Sequence, residues 1–138
     1  MSLVRDGMLS DPAVLASAAT VQDAAQHLAR PDVRAVLVVD AEGALLGLVT
    51  PDSLVEHVLA AGLDPRSTPV SSAVVKPPLV LDADQLLDDA YRLLEEAELE
   101  RAPVVEQGRL VGVLSRSVVQ RRLAEDEPPS DDGDADYS

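Results

Sequence analysis

Two hydroxyl residues end the same short phrase, written twice. Gly47-Leu48-Val49-Thr50 and Gly112-Val113-Leu114-Ser115 lie 65 residues apart in a chain of 138. A hydroxyl at a helix start accepts a hydrogen bond from a backbone N–H in the first turn. Thr50 is read as such a cap, with Pro51 at the favoured first helical position, and Ser115 as its counterpart. Gly47 and Gly112 fall inside strands, where glycine marks the close approach of another backbone or a ligand. Other reactive chemistry is sparse. His27 and His57 stand alone in helical segments, without companions at metal-ligand spacing. The chain has no cysteine, which excludes disulfides and thiolate metal sites. No nucleophile elbow is present. Asp88-Asp89 and Glu95-Glu96 read as exposed helix faces. Neither an enzyme nor a metal site is expected.

The elements that carry these residues are also doubled. Pro12 precedes the strand Ala13-Val14-Leu15, and Pro77, again 65 residues on, precedes the strand Pro78-Leu79-Val80-Leu81. Proline is tolerated at a strand's first position. Thr20 and Asp23 form a capping box. Val21, Ala24, Ala25 and Leu28 follow as one apolar stripe, and Pro31 ends the helix near Arg30. In the second copy the stripe is Leu86, Ala90, Leu93, Leu94 and Ala97, with Asp84 as cap. Each copy then has a hairpin. Ala35–Val39 turns through Asp40–Gly43 into Ala44–Val49. Ala102–Val105 turns through Glu106–Gly108 into Arg109–Leu114. Gly43 and Gly108 supply the positive φ that tight turns need. The hydroxyl opens a second helix, through Leu54, Val55, Val58 and Leu59 in one copy and Val118, Val119 and Leu123 in the other. A copy of about 60 residues buries only a modest core, so the two are expected to pack together.

Composition narrows the function. Apolar residues make up 46% of the chain, with no Trp or Phe and two Tyr, so the core is aliphatic. The net charge is −14. Residues 125–138 hold seven acids and no base, with two prolines and a glycine, and read as a disordered tail. The remaining 124 residues have 18 acids against 11 bases. An acidic body repels phosphate backbones, and the lack of aromatics removes stacking platforms for single strands. No nucleic-acid partner is expected. The longest apolar run, Ala35–Val39, is far short of the roughly 20 residues of a membrane span. No signal-peptide pattern opens the chain, and a cytoplasmic location without a membrane partner is expected.

Two β-α-β-β-α copies, each with a PVV-like strand, an acidic-glycine turn and a Gly-aliphatic-aliphatic-Thr/Ser phrase, resemble a pair of CBS (cystathionine-β-synthase) domains, a Bateman module. The lead-in Val4–Pro12 is similar to the start of a first CBS repeat, and the resemblance covers residues 4–124. It implies an α/β (α+β) fold of two repeats packed with pseudo-twofold symmetry. The expected division is a first repeat with its lead-in (1–63), a linker (64–72), a second repeat (73–124) and the acidic tail (125–138).

The resemblance also implies a function. Such modules bind AMP, ADP, ATP or S-adenosylmethionine between the repeats, dimerise, and regulate an effector. The chain is expected to be a stand-alone regulatory module of this kind, a homodimer acting on a separate protein partner. In nucleotide-binding members the phrase is Gly-h-h-Thr/Ser-x-x-Asp. The hydroxyl meets phosphate or ribose, and the Asp takes the ribose hydroxyls. Here Ser53 and Val118 stand at the two Asp positions, and Asp52 is one place early. Arg101, Arg116 and Lys76 occupy places where members put phosphate-binding bases; a guanidinium fork suits phosphate. The implied ligand-binding residues are Leu9, Ser10, Thr50, Asp52, Ser53, Val75, Lys76, Arg101, Pro103, Ser115, Arg116 and Ser117. The missing aspartates motivate an alternative: the same fold without a ligand, an interaction module that dimerises and contacts a partner.

Overall fold

A computed structural model describes residues 2–10 and 12–126, with side chains as far as residue 124. It contains two three-stranded sheets of identical layout. In the first, β1 (Val14–Ala16) runs parallel to β2 (Val36–Val39), which pairs antiparallel with β3 (Leu45–Val49). In the second, β4 (Leu81–Asp82) runs parallel to β5 (Arg101–Glu106), which pairs antiparallel with β6 (Arg109–Ser115). Helix α1 (Val4–Gly7) precedes β1. Helix α2 (Val21–Leu28) crosses from β1 to β2, and α4 (Leu87–Glu96) from β4 to β5. Helix α3 (Pro51–Leu54) continues as a π-helical turn over Val55–Leu59, and α5 (Arg116–Asp126) follows β6. Residues 127–138, most of the expected tail, lie outside the described residues.

The capping box at α2 is formed as expected: Asp23 N–H donates to Thr20 Oγ1, and Thr20 N–H donates to the Asp23 carboxylate. The cap on α4 is a correction. Leu86 holds the cap position with no side-chain bond. Asp84 instead pairs with Arg5. The helix starts one residue later than its stripe suggests, so Leu87, Ala90 and Leu94 are buried while Leu86 is left exposed.

Strand β4 is also shorter than expected, and Pro103 is the reason. The N–H and C=O of Val113 both bond to Leu9, so Val113 exchanges none with its partner Pro103. The nitrogen of Pro103 therefore faces the β4 side, where it has no hydrogen to give. In the first sheet Leu37 holds that place, and its N–H bonds to Ala13. That bond carries the ladder one step further.

The lead-ins are exchanged between the two halves. Val4 is buried in the second core with Leu81, Leu87, Leu94, Val104 and Leu114. Val4 N–H donates to Gln85 O, and Leu87 N–H donates to Ser2 O, each at 2.9 Å. Leu9 then pairs with Val113 in β6. The segment before β4 does the reverse. A 3-10 turn at Val70–Ala73 lies in the first core with Val21, Val38, Val49 and Val58, and Val75 pairs with Leu48 in β3. Both strand glycines sit under these crossings. A Cβ on Gly47 would overlap the Val75 carbonyl oxygen, and one on Gly112 would stand 2.6 Å from the Leu9 oxygen. In each case the nearest approaching group is backbone, with the Val74 and Met8 side chains close behind it.

The hairpin tips complete the symmetry. Leu45 N–H donates to Gly108 O, and Leu110 N–H donates to Gly43 O. Ala44 bridges Arg109, its own counterpart 65 residues on. The local twofold axis passes between them.

Candidate functional site

The implied ligand residues fall into two groups, one at the end of each hairpin. Thr50, Asp52, Ser53, Val75 and Lys76 surround the end of β3. Leu9, Ser10, Arg101, Pro103, Ser115, Arg116 and Ser117 surround the end of β6. No hydrogen bond or ion pair among the described residues joins the groups.

In the first group the hydroxyls are locked into a cap. Ser53 N–H donates to Thr50 Oγ1 at 3.1 Å, and Thr50 N–H donates to Ser53 Oγ at 2.9 Å. Ser53 Oγ donates in turn to the Thr50 carbonyl. Ser53, only 3% exposed, has its hydroxyl proton committed here. The Thr50 hydroxyl proton is given to no described group. Thr50 and Asp52 line a cleft of about 480 Å³ with Leu28, Arg30, Pro31 and Arg34. Neither guanidinium has an ion-pair partner among the described residues. Among the described residues this cleft therefore offers two cations without ion-pair partners, a free O–H donor and one carboxylate. Val75 and Leu48 exchange both backbone bonds at 2.9 Å, and Lys76 follows as an exposed side chain.

The second group is built differently. Ser115, 7% exposed, donates its hydroxyl to Glu100 Oε2 at 3.1 Å and lies 3.0 Å from Ser117 Oγ. The same Oε2 accepts from Ser117 Oγ at 3.0 Å and from Ser117 N–H at 3.4 Å. Arg116 Nε lies 4.0 Å from the other carboxylate oxygen, and Arg116 N–H donates to the Glu100 carbonyl. The expected capping by Ser115 is thus corrected: Glu100 takes the first-turn N–H of α5, and Ser115 serves Glu100. Partial burial pushes the Glu100 carboxyl up. The hydrogen bonds from Ser117 and Ser115 and the nearby Arg116 outweigh that and hold it below its ordinary value. In register, Arg101 faces Ser115 and buried Pro103 faces Val113. Leu9 and Ser10 are exposed.

Glu100, Arg30 and Arg34 were not legible as site residues. Pairing register is the signal that finds two of them. Val36 opposes Val49 and Ala102 opposes Leu114, each one residue before the phrase's hydroxyl. Arg34 and Glu100 both lie two residues ahead of those strand positions. A turn one residue shorter in the second hairpin puts them 66 apart and hides the match from a fixed offset.

Two further features bound the chemistry. Among the described residues no group of three or more His, Asp or Glu could hold a metal ion, and no helix is long and apolar enough to cross a membrane. A hollow of about 550 Å³ at the second hairpin, lined by Glu106, Gln107, Arg109, Leu110 and Val111, contains none of the implied residues.

Comparison with known proteins places this architecture. The chain is 28% identical to Hypoxic response protein 1 of Mycobacterium tuberculosis over 125 residues, 91% of this chain and 87% of that protein. It is 32% identical to the CBS domain-containing protein CBSCBSPB2 of Arabidopsis thaliana over 106 residues, 77% of this chain, and spans only 20% of that longer protein. A crystal structure of Hypoxic Response Protein I with two coordinated zinc ions matches with a TM-score of 0.74 at 27% identity, over 88% of this chain and 99% of that one. A crystal structure of CBSX2 in complex with AMP matches with a TM-score of 0.72 at 28% identity, over 91% of this chain and 98% of that one. The CBS domain model matches twice, at residues 4–60 and 70–125. With two such repeats and the fold they share, this chain belongs to the CBS domain family.

Proposed function

We propose that the protein is a regulatory, non-catalytic module that senses an adenosine-containing ligand: AMP, ADP, ATP or S-adenosylmethionine. The observation that carries this reading is the first-half cleft, which Arg30 and Arg34, neither ion-paired among the described residues, line together with Thr50 and Asp52. Guanidinium forks suit phosphate or carboxylate. A carboxylate suits a vicinal diol, since it accepts two hydrogen bonds. Asp52 therefore offers the acceptor that Ser53, folded into its cap, does not. The AMP complex of CBSX2 supports the same ligand class. The output passes to a protein effector.

We also propose that the module works as a homodimer. Val55 and Leu59, four residues apart in the π-helical turn after α3, are 55% and 65% exposed, and Leu63, just beyond its end, is 44% exposed. Such a stripe fits a second copy of itself.

The alternative, an interaction module without a ligand, draws on Ser53 and Val118 in the two places where a diol-binding Asp is absent. A thermal-shift screen with AMP, ADP, ATP and S-adenosylmethionine at about 1 mM separates the two. A ligand at about 100 times its Kd stabilises by about 2.7 kcal/mol, a rise of several degrees for a domain of this size. A rise that disappears in Arg34→Ala supports the sensor. A flat response to all four supports the interaction module.

A further inference from the structure

The two halves carry opposite charges at one equivalent position, and this makes them unequal. Arg34 and Glu100 each lie two residues before the strand residue that opposes the end of the phrase. Thr50-Pro51-Asp52 corresponds to Ser115-Arg116-Ser117. In the second half the Arg116 N–H fastens the Glu100 main chain, and Ser115 and Ser117 hold its carboxylate. In the first half that fastening cannot form, because Pro51 has no N–H. Arg34 is left exposed at the mouth of the cleft. We infer that Glu100 is a built-in anion that closes the second half to phosphate-bearing ligands, and that Arg34 makes the first-half cleft the one that accepts them.

The chemistry of the two places supports the assignment. An incoming phosphate at the second half meets a fixed carboxylate that already holds both serine hydroxyls and the Ser117 N–H and has the Arg116 guanidinium 4.0 Å away, which leaves exposed Arg101 as the one base there without an ion pair among the described residues. It must displace that carboxylate or accept like-charge repulsion. A phosphate at the first half meets two guanidiniums without ion-pair partners among the described residues and a hydroxyl with a free proton, against the one exposed carboxylate of Asp52. The inference rests on reading the protein as a binder of phosphate-bearing ligands. It adds which half binds and which residue decides.

The test is an amide NMR titration of the full chain with ATP and, separately, with inorganic pyrophosphate, which lacks the nucleoside. The expected result is that Arg34, Thr50 and Asp52 amides shift while the Ser117 amide does not. Arg34→Glu should weaken binding at least tenfold. Glu100→Arg, which gives the second half the residue of the first, should bring the Ser117 amide into the responding set. Glu100→Ala tests the same opening without an added charge. A Ser117 response in the wild type, or unchanged affinity in Arg34→Glu, overturns the inference. If pyrophosphate shifts the first-half amides and ATP does not, the nucleotide reading fails and this assignment stands. If neither ligand shifts any amide in the wild type or the Glu100 variants, both fail.

Discussion

The carbonyl oxygen of Val75 lies where a side chain on Gly47 would stand. Gly47 also has φ +154°, a conformation that L side chains rarely adopt. Steric overlap and backbone strain therefore add. Gly47→Ala should destabilise by about 3 kcal/mol. Gly112→Ala, opposed by the Leu9 oxygen and the flexible Met8 side chain, should cost less, about 2 kcal/mol. Gly108→Ala meets nothing nearby at φ +82° and should cost about 1 kcal/mol. Urea unfolding of the three variants gives the ranking. A Gly47 variant as stable as the Gly108 one would mean the crossing is loose.

Glu100 makes stability depend on pH. Its carboxyl sits below its ordinary value in the folded state, so the charged form favours folding. That contribution is present above the unfolded-state value of about 4.3 and is lost as pH falls through the lower folded-state value. Glu100→Gln should melt lower than wild type at pH 7, and the gap should close below about pH 4. A gap independent of pH would contradict a charged Glu100.

Arg5 joins the exchanged N-terminal segment to Asp84 and to Glu106, the latter at 2.7 Å. The two acids hold the guanidinium above its ordinary value, Glu106 contributing most. Both pairs are exposed, so salt should screen them. Arg5→Ala should speed hydrogen exchange at Val4 and Leu87 in low salt, with the difference shrinking in molar salt. Exchange in the variant equal to wild type at both salt levels would mean that the Arg5 ion pairs do not hold this segment.

The hydroxyl caps at Thr20 and Thr50 are formed in the same way. Thr20→Ala and Thr50→Ala should each cost about 1 kcal/mol. Only the Thr50 variant should also weaken ATP binding. If Thr20→Ala weakens it equally, the Thr50 effect on binding is indirect.

Leu59→Glu places a charge in the exposed stripe without touching either core. Sedimentation should show dimeric wild type and a folded, monomeric variant. A wild type that sediments as a monomer would end the homodimer proposal.

Local patterns in the sequence carried much of this molecule. The capping box at Thr20, both glycine turns, and the order of strands and helices follow from spacing along the chain. The asymmetries do not. The short β4 results from Pro103 facing a strand with which it can form no bond, and only the register shows which way its nitrogen points. Asp84 looks like a helix cap until Arg5, 79 residues away, draws it off. Glu100 looks like one more surface acid until β6 brings two serines and an arginine to it. Each of these is decided by partners that leave no local trace in the chain.

The exchange of lead-ins also sets an order of events during synthesis. The first core needs nothing later than Val74 and Val75, so it can close while the rest of the chain is still being made. The second core must wait for β6 and for Val119 in α5, and it captures residues 2–9, which left the ribosome before any of it. In arrested nascent chains of increasing length, those residues should gain protease protection only after β6 has emerged.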